Sequence, residues 1–460
     1  MTTTLIAAAV TVAGISAALT GCATAPTAAV DAIRVLPAAS IAAVAANTDP
    51  SWDQKLAIGR ILSASKSSPD HGDNSQPGSM FSQLADPVFG QFSASDTPWL
   101  GSVFSAAALP ATAGTSGLTT VVAFSTSNMP ATSAWLESRR RATGGDMTWK
   151  EQTSGTTEFV VAANTSDSGV LSGQTLGADP AALAGLSSAA PAVTYANLAS
   201  AADVPNYLGS AGVLQFLSEI GLLGSGSSGV LVANIDAVDG MWVASGFGRG
   251  VKLSGADVSS GNKDLSIIGS VPRSSQVAVA VAGLNDQMAT TTGSSDQAKT
   301  IATAVGLAWP AATTEVFGQR TVIAFGRSGS DTVGGWRAYD TGRAGPESAS
   351  KLVDGYLRPN AALGWSVVPT GTGQAVASSA GWASALANPV GGQTLEQSDA
   401  FTGMLDGSSD AAVVAAVDGT ALAAGSDSQW WSTVSAVTMV MSATDAKAGN
   451  VTFTVRARPT

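Results

Sequence analysis

The chain has 460 residues with 22 Lys and Arg against 33 Asp and Glu, a formal net charge of −11 that rules out binding nucleic acid by phosphate neutralisation. With 45% hydrophobic and only 12% charged residues it lies far from the composition of chains that stay unfolded. One His and one Cys in the whole sequence limit nucleophilic and metal chemistry, which lean on those side chains.

The first element is the uncharged apolar run Leu5 to Leu19, of signal-peptide length and short for a membrane span. It runs into Leu19-Thr20-Gly21-Cys22. This resembles the bacterial lipobox, and the resemblance implies cleavage before Cys22, a diacylglycerol on its sulfur, and a mature protein held on the outer face of the cytoplasmic membrane. Acyl chains in that number make a firm anchor, where a single chain binds only marginally. Met1-Thr2-Thr3-Thr4 carries no Lys or Arg, a departure from the usual positive start. The expected partition is a signal peptide over 1–21, a tether over 22–34, a first half over 35–265 and a second over 266–460. If Cys22 carries lipid, no thiol remains for a disulfide and the body is stabilised by packing alone.

From residue 35 on, short β-type runs alternate with capped helices. Ile41 to Ala46 reads as a strand apolar on both faces, and Asp49-Pro50 as the start of a helix carrying Trp52. A strand is expected at Thr120 to Phe124, followed by a helix opened by Asn128 and Pro130 and stopped at Gly144-Gly145. Further strands are expected at Phe159 to Ala163, Val193 to Leu198, Val230 to Ile235 and Met241 to Phe247, with a helix from Asp179-Pro180. The second half is expected to hold strands at Val277 to Val281, Val316 to Phe325, Gly335 to Tyr339, Leu363 to Val368, Ala411 to Val417, Ser435 to Met441 and Val451 to Ala457. Its helices are expected at Ser295 to Leu307, Glu347 to Leu357, Gln374 to Leu386 and Ser398 to Leu405.

The fold class that follows is α+β, a mostly antiparallel sheet with packed helices, arranged as two related halves. Both halves open with a Val/Ala strand, a polar turn and a helix; a shared strand order would separate duplication from a common composition. Strands apolar on both faces mean a sheet covered on both sides or one lining an apolar cavity. The alanines of Val277 to Val281 share one face and leave room there for close approach of a helix.

Leu36-Pro37-Ala38-Ala39-Ser40, the strand after it, Asp49 to Lys55, Ser133 to Glu137 and the closing Val451 to Arg458 together resemble an uncharacterised family of membrane-anchored extracytoplasmic proteins from high-GC Gram-positive bacteria. The resemblance implies location and fold, and brings no catalytic residues.

The candidates for chemistry are few. His71, between Asp70 and Asp73 in a polar loop, is the only imidazole, and such a loop does not preorganise a base. Ser63-Ala64-Ser65-Lys66 and Ser348-Ala349-Ser350-Lys351 match the Ser-x-x-Lys of lysine-activated serine enzymes, and Ser260-Gly261-Asn262 matches their second element, but no Lys-Thr-Gly is present. Gly246-Phe247-Gly248-Arg249-Gly250 reads as a glycine-rich hairpin end. Arg139-Arg140-Arg141 serves either the dipole at a helix C-terminus or anionic lipid head groups. Most of the 11 Trp are expected to fill the core, with Trp430-Trp431 the best candidate for an exposed pair. No metal or cofactor is called for. The functional expectation is a lipid-anchored, non-catalytic envelope protein binding an apolar molecule or a protein partner, with a Ser/Lys hydrolase or a transporter's solute-binding subunit as alternatives.

Overall fold

The computed structural model describes residues 29–47, 85–91, 96–110, 118–202, 226–253, 258–292, 295–328, 331–360, 364–390, 393–423 and 434–460. The lipobox, His71, Ser63 with Lys66, the helix expected after Asp49 and Trp430-Trp431 lie outside them. The fold is α+β with antiparallel strand pairing, and it divides into two compact units: the first runs to Val251 and the second takes up the chain at Lys252.

Unit 1 begins with α1 (Ala29–Arg34), then β1 (Ala42–Asn47), β2 (Leu100–Leu109), β3 (Thr119–Thr126), α2 (Met129–Ala142), β4 (Thr148–Ser154), β5 (Thr157–Ala163), β6 (Ala192–Asn197), α3 (Leu198–Ala202), β7 (Ser228–Val238) and β8 (Met241–Lys252). Its strand order is β4-β5-β3-β2-β1-β6-β7-β8. Unit 2 holds β9 (Ser275–Ala282), α4 (Leu284–Thr292), α5 (Asp296–Ala304), α6 (Thr313–Phe317), β10 (Arg320–Ser328), β11 (Asp331–Tyr339), α7 (Gly345–Leu352), β12 (Ser366–Pro369), β13 (Gly373–Ala377), α8 (Ala380–Ala387), β14 (Val413–Asp418), α9 (Gly419–Ala423), β15 (Val434–Asp445) and β16 (Asn450–Pro459). Its order is β12-β13-β11-β10-β9-β14-β15-β16. Adding eight to each strand number of the first unit yields the second.

Register repeats along with order. Val44 of β1 faces Ala106 of β2 and Thr194 of β6, and its counterpart Val279 of β9 faces Ile323 of β10 and Ala415 of β14. One latch recurs atom for atom. The tetrapeptide Gly-Gln-Thr-Leu stands at 173–176 and again at 392–395, and its Thr bridges the proline ahead of the central strand, Pro37 to Thr175 and Pro272 to Thr394. The amides of Ala38 and Arg273 donate to the carbonyls of Gln174 and Gln393 at 2.8 and 2.7 Å, and those of Leu176 and Leu395 to Leu36 and Val271 at 2.8 and 2.9 Å. Past the strand on the other side of the central one, Asn197 and Asp418 each accept the amide three residues on, from Ser200 and Ala421, capping α3 and α9. The two units are two copies of one fold, and their likeness is topological as well as compositional.

Each sheet is covered on both faces. In unit 1, Ala32 and Ile33 of α1 pack with Ala43, Ala45, Val121, Ala123 and Val161. The opposite face carries Phe124, whose ring meets Phe89 and Trp99, and these two in turn meet Trp135, all at 5.0–6.2 Å. In unit 2, Ala349 of α7 and Val353 pack on Val376 with Trp336 and Trp365, and Trp382 of α8 approaches Gly326 from the other side. Burial of β1 on both faces means that it is packed and does not line an open cavity.

Several expectations need correction. Residues Ala29–Arg34, assigned to the tether, form α1 with Ala29, Val30, Ala32 and Ile33 buried; the apolar i, i+3, i+4 stripe was hidden among small residues. Asp179-Pro180 opens turns rather than a helix: Asp179 accepts the amides of Ala181 and Ala182, but Gly185 at φ +102° ends the segment too soon for a helix to propagate. Val316 and Phe317 belong to α6, which Gly318 terminates, so the strand starts at Arg320. Gln374 to Ala377 is strand β13, and the helix begins only after the N-cap Ser379. The helix expected over Ser398 to Leu405 is reduced to a 3-10 turn, Asp399–Phe401. Gly246 to Gly250 lies inside β8, the turn of that hairpin being Asp239-Gly240. Strand β2 had no expectation at all, since Ser-Ala-Ala-Ala carries no β-branched or alternating signal. Among the described residues no helix is long and apolar enough to cross a membrane.

Gly246 of β8 is required by a close backbone approach. A Cβ there would stand 1.9 Å from the carbonyl oxygen of Val232, a backbone atom that cannot move aside. Gly246→Ala is expected to lower the unfolding free energy by more than about 2 kcal/mol. Gly381, exposed in α8 with no atom near its missing Cβ, should respond in the opposite direction, Gly381→Ala gaining roughly 0.5–1 kcal/mol. Urea unfolding of the two variants checks the pair of signs.

Candidate functional site

The Ser-x-x-Lys match that the structure describes lies in the second half of α7. Ser348 faces inward, 4% exposed, and its hydroxyl donates to the Glu315 carboxylate of α6 at 2.5 Å. Lys351 faces outward, its side chain 43% exposed, and pairs with Glu347 one turn back at 2.8 Å. That pair draws the Glu347 carboxyl below its usual range. The two side chains of the motif are thus turned to different partners, and the lysine is held by an acid instead of taking a proton from the serine. Asn262, the second element of the match, clips the backbone of Ala443, donating to its carbonyl at 3.1 Å and accepting its amide at 2.6 Å. These residues act as struts.

What sequence reading missed is the polar cluster that Ser348 belongs to. Gln374 of β13 is fully buried, and its amide nitrogen donates to the carbonyls of Glu315 and Val316 at 2.8 and 3.0 Å, two of the orphan acceptors at the end of α6. Its oxygen accepts from the Thr341 hydroxyl at 2.9 Å. The Trp336 indole donates to the same Val316 carbonyl at 3.2 Å. No sequence signal marks this set, because its members come from α6, α7, β11, β13 and the turn after β11. Close by, Tyr339 carries Arg337 at 4.7 Å and Arg320 at 5.5 Å over its ring. Arg320 bonds Asp340 at 2.8 Å, which holds the guanidinium firmly charged, and Arg337 donates to the Leu386 carbonyl at the end of α8.

The arginine cluster of unit 1 divides its labour. Arg139 stacks over Trp135 at 5.3 Å, donates to the Gln91 carbonyl at 3.0 Å and lies 3.5 Å from Asp96. Arg140 pairs with Glu137 at 3.0 Å. Arg141 is exposed. All three stand in the last turn of α2, where positive charge complements the helix dipole. Among the tryptophans, Trp99, Trp242 and Trp382 are buried and Trp309, Trp336 and Trp365 partly so, as core filling requires. Among the described residues no three His, Cys, Asp or Glu side chains gather as a metal site would need. Comparison with protein families, with characterised proteins and with solved structures returns no match.

A carboxylate and an amine of unit 1 are among the groups that feel the interior. Burial pushes the Asp236 carboxyl of β7 up and the Lys150 amine of β4 down, and Lys150 donates to the Leu171 carbonyl. For Asp236 the folded state binds its proton more tightly than the unfolded chain does. Its contribution to stability is therefore complete below the ordinary value of 3.8 and is lost as pH rises through the raised value. Asp236→Asn is expected to be more stable than the parent at neutral pH, with the gap closing toward pH ~3, in denaturation curves taken across that range.

For the α6 cluster, Ser348→Ala leaves the Glu315 carboxylate without its hydroxyl donor and should cost about 1–3 kcal/mol. Lys351→Ala removes only an exposed pair and should change stability by less than ~0.5 kcal/mol. Chemical denaturation of both reads the contrast, and equal losses would overturn the assignment of Ser348 as a strut and Lys351 as a surface ion.

Proposed function

We propose that the chain is a lipid-anchored protein of the outer face of the cytoplasmic membrane, with a non-catalytic body that binds another envelope protein. The anchor rests on one observation, the apolar run Leu5 to Leu19 ending at Leu19-Thr20-Gly21-Cys22. The resemblance to membrane-anchored extracytoplasmic proteins points the same way. Support for a binding role comes from the use the body makes of its polar groups. Ser348, Gln374, Asn262 and Arg139 are each spent on backbone or side-chain partners that hold elements together.

A protein partner is favoured over an apolar cargo because strands β1 and β13 are buried along their length by packed neighbours. A carrier must keep apolar wall exposed for its cargo. Phe247 and Phe325 remain large and apolar at 45% and 49% exposure, the kind of residue that anchors a protein contact. The solute-binding alternative fits less well, since antiparallel pairing within each unit departs from the parallel α/β lobes expected of it.

The test is replacement of the acylated residue. Cys22→Ala is expected to abolish metabolic labelling with a radioactive fatty acid and to move the protein from the membrane pellet to the soluble fraction. Retention in the pellet with labelling intact defeats the anchor. Independently, a fluorophosphonate probe should leave the protein unlabelled, and stoichiometric labelling at Ser348 would restore the hydrolase.

A further inference from the structure

The short reach between Cys22 and the buried start of α1 favours one side of unit 1 toward the bilayer; this inference rests on the lipid-anchor reading above. Ala29, the first residue of α1, is fully buried, locked in the core with Ile33, Ala43 and Val121. Cys22 precedes it by seven residues. Seven residues drawn out fully span at most about 25 Å. With the Cys22 sulfur carrying lipid at the head-group layer, the start of α1 stays within that distance of the membrane whatever path the intervening chain takes.

The sheet decides what lies near and far from that point. Along β3 side chains alternate: Val121 and Ala123 pack with α1, so Val122 and Phe124 point to the opposite face. Phe124 belongs to the aromatic cluster that seats α2 through Trp135. Helices α1 and α2 therefore lie on opposite faces of one sheet, with axes on the order of 20 Å apart. They also meet opposite ends of the edge strand β4. The Ser154 hydroxyl, at its end, donates to Asp31 of α1 at 3.2 Å, whereas α2 feeds into its beginning through Gly144-Gly145. Seven residues of strand add roughly 20 Å between those ends.

We propose that the α1 side of unit 1, around Arg34 and the turn after Ser154, is the surface apposed to the phospholipid head groups. The arginines of α2 stand off on the far side. Arg34 is suited to that place: its side chain is half exposed and, among the described residues, pairs with Asp31 of its own helix, a partner it can exchange for a lipid phosphate. On the α2 side Arg139 is committed to Trp135, Gln91 and Asp96, Arg140 is half exposed and paired with Glu137, and Arg141 is exposed.

The experiment uses the full acylated chain in vesicles of phosphatidylcholine and phosphatidylglycerol that carry an acceptor dye on a head group. Since Cys22 is capped by lipid, Arg34→Cys and Arg141→Cys each provide one free thiol for a donor dye, with the same change of charge at two exposed positions. Energy transfer to the vesicle surface is expected to be at least about twofold stronger from position 34 than from position 141. Inserting about 30 Gly and Ser residues after Thr27 lengthens the reach roughly fivefold and should bring the two positions together. Equal transfer in the unextended chain, stronger transfer from 141, or a difference that survives the insertion undiminished each overturns the proposal. The acyl label at Cys22 is read on the same samples. Its absence defeats the anchor itself, whereas an acylated chain with equal transfer defeats only the orientation.

Discussion

Everything in each unit is arranged around one strand that must be dry on both faces. β1 and β9 are built almost entirely of Ala and Val, and each is flanked by two hydrogen-bonded neighbours. Such a strand is stable only if something covers it above and below, because its backbone partners are secured by the sheet while its side chains gain free energy only when removed from water. The Gln-Thr-Leu latch holds the entry to that strand. It pairs the backbone on either side of the leading proline with a segment more than a hundred residues away and seats a buried leucine, Leu176 or Leu395, beside it. The same latch, register and caps recur in both units, so both meet this constraint in the same way.

The two units differ in how they cover the sheet. Unit 1 uses an aromatic cluster, Phe89, Trp99, Phe124 and Trp135, against α2. Unit 2 puts Gln374 where the strand pattern of unit 1 has an apolar residue, and then satisfies it completely with Thr341 and the end of α6. A buried amide without partners costs several kcal/mol, so Gln374 survives only because every one of its neighbours is placed to meet it. Among the described residues, Ser348 and Asn262, which looked like catalytic candidates, are engaged in structural work of the same kind, and that links the fold to the proposed reading of the protein as a binding body on a lipid anchor.

Legibility followed the strength of the local signal. The Asn128 cap, with Pro130 behind it and Gly144-Gly145 beyond, placed α2 within a residue or two, and the clean alternation of Val451, Phe453 and Val455 placed β16. Where residues were small, periodicity faded. Ser105 to Ala108 in β2 and Ala29 to Ala32 in α1 carry too little contrast in size or polarity to show which way they face, and only their neighbours reveal it. Gln374 was drawn into the following helix because the break at Ser378-Ser379 has no glycine or proline to announce it. In the candidate site, the i, i+3 spacing of Ser348 and Lys351 was visible and misleading. One turn of helix separates them, but the wall of α6 decides that one points in and the other out.

By itself the sequence determined the chemistry at hand: one thiol and one imidazole, a net negative charge, an apolar run from Leu5 to Leu19 ahead of Cys22, and Val/Ala strands suited to burial on both faces. Those are properties of residues and short spacings, and they need no neighbours to be read. Only the tertiary structure decided that the two halves share one strand order, that Ser348 and Lys351 turn to separate partners, and that Ala29 to Ile33 pack in the core. Each of these depends on which distant segments hydrogen-bond and pack together. In a chain so rich in alanine, where many local patterns look alike, that pairing is settled by long-range register and volume and leaves almost no trace in local sequence.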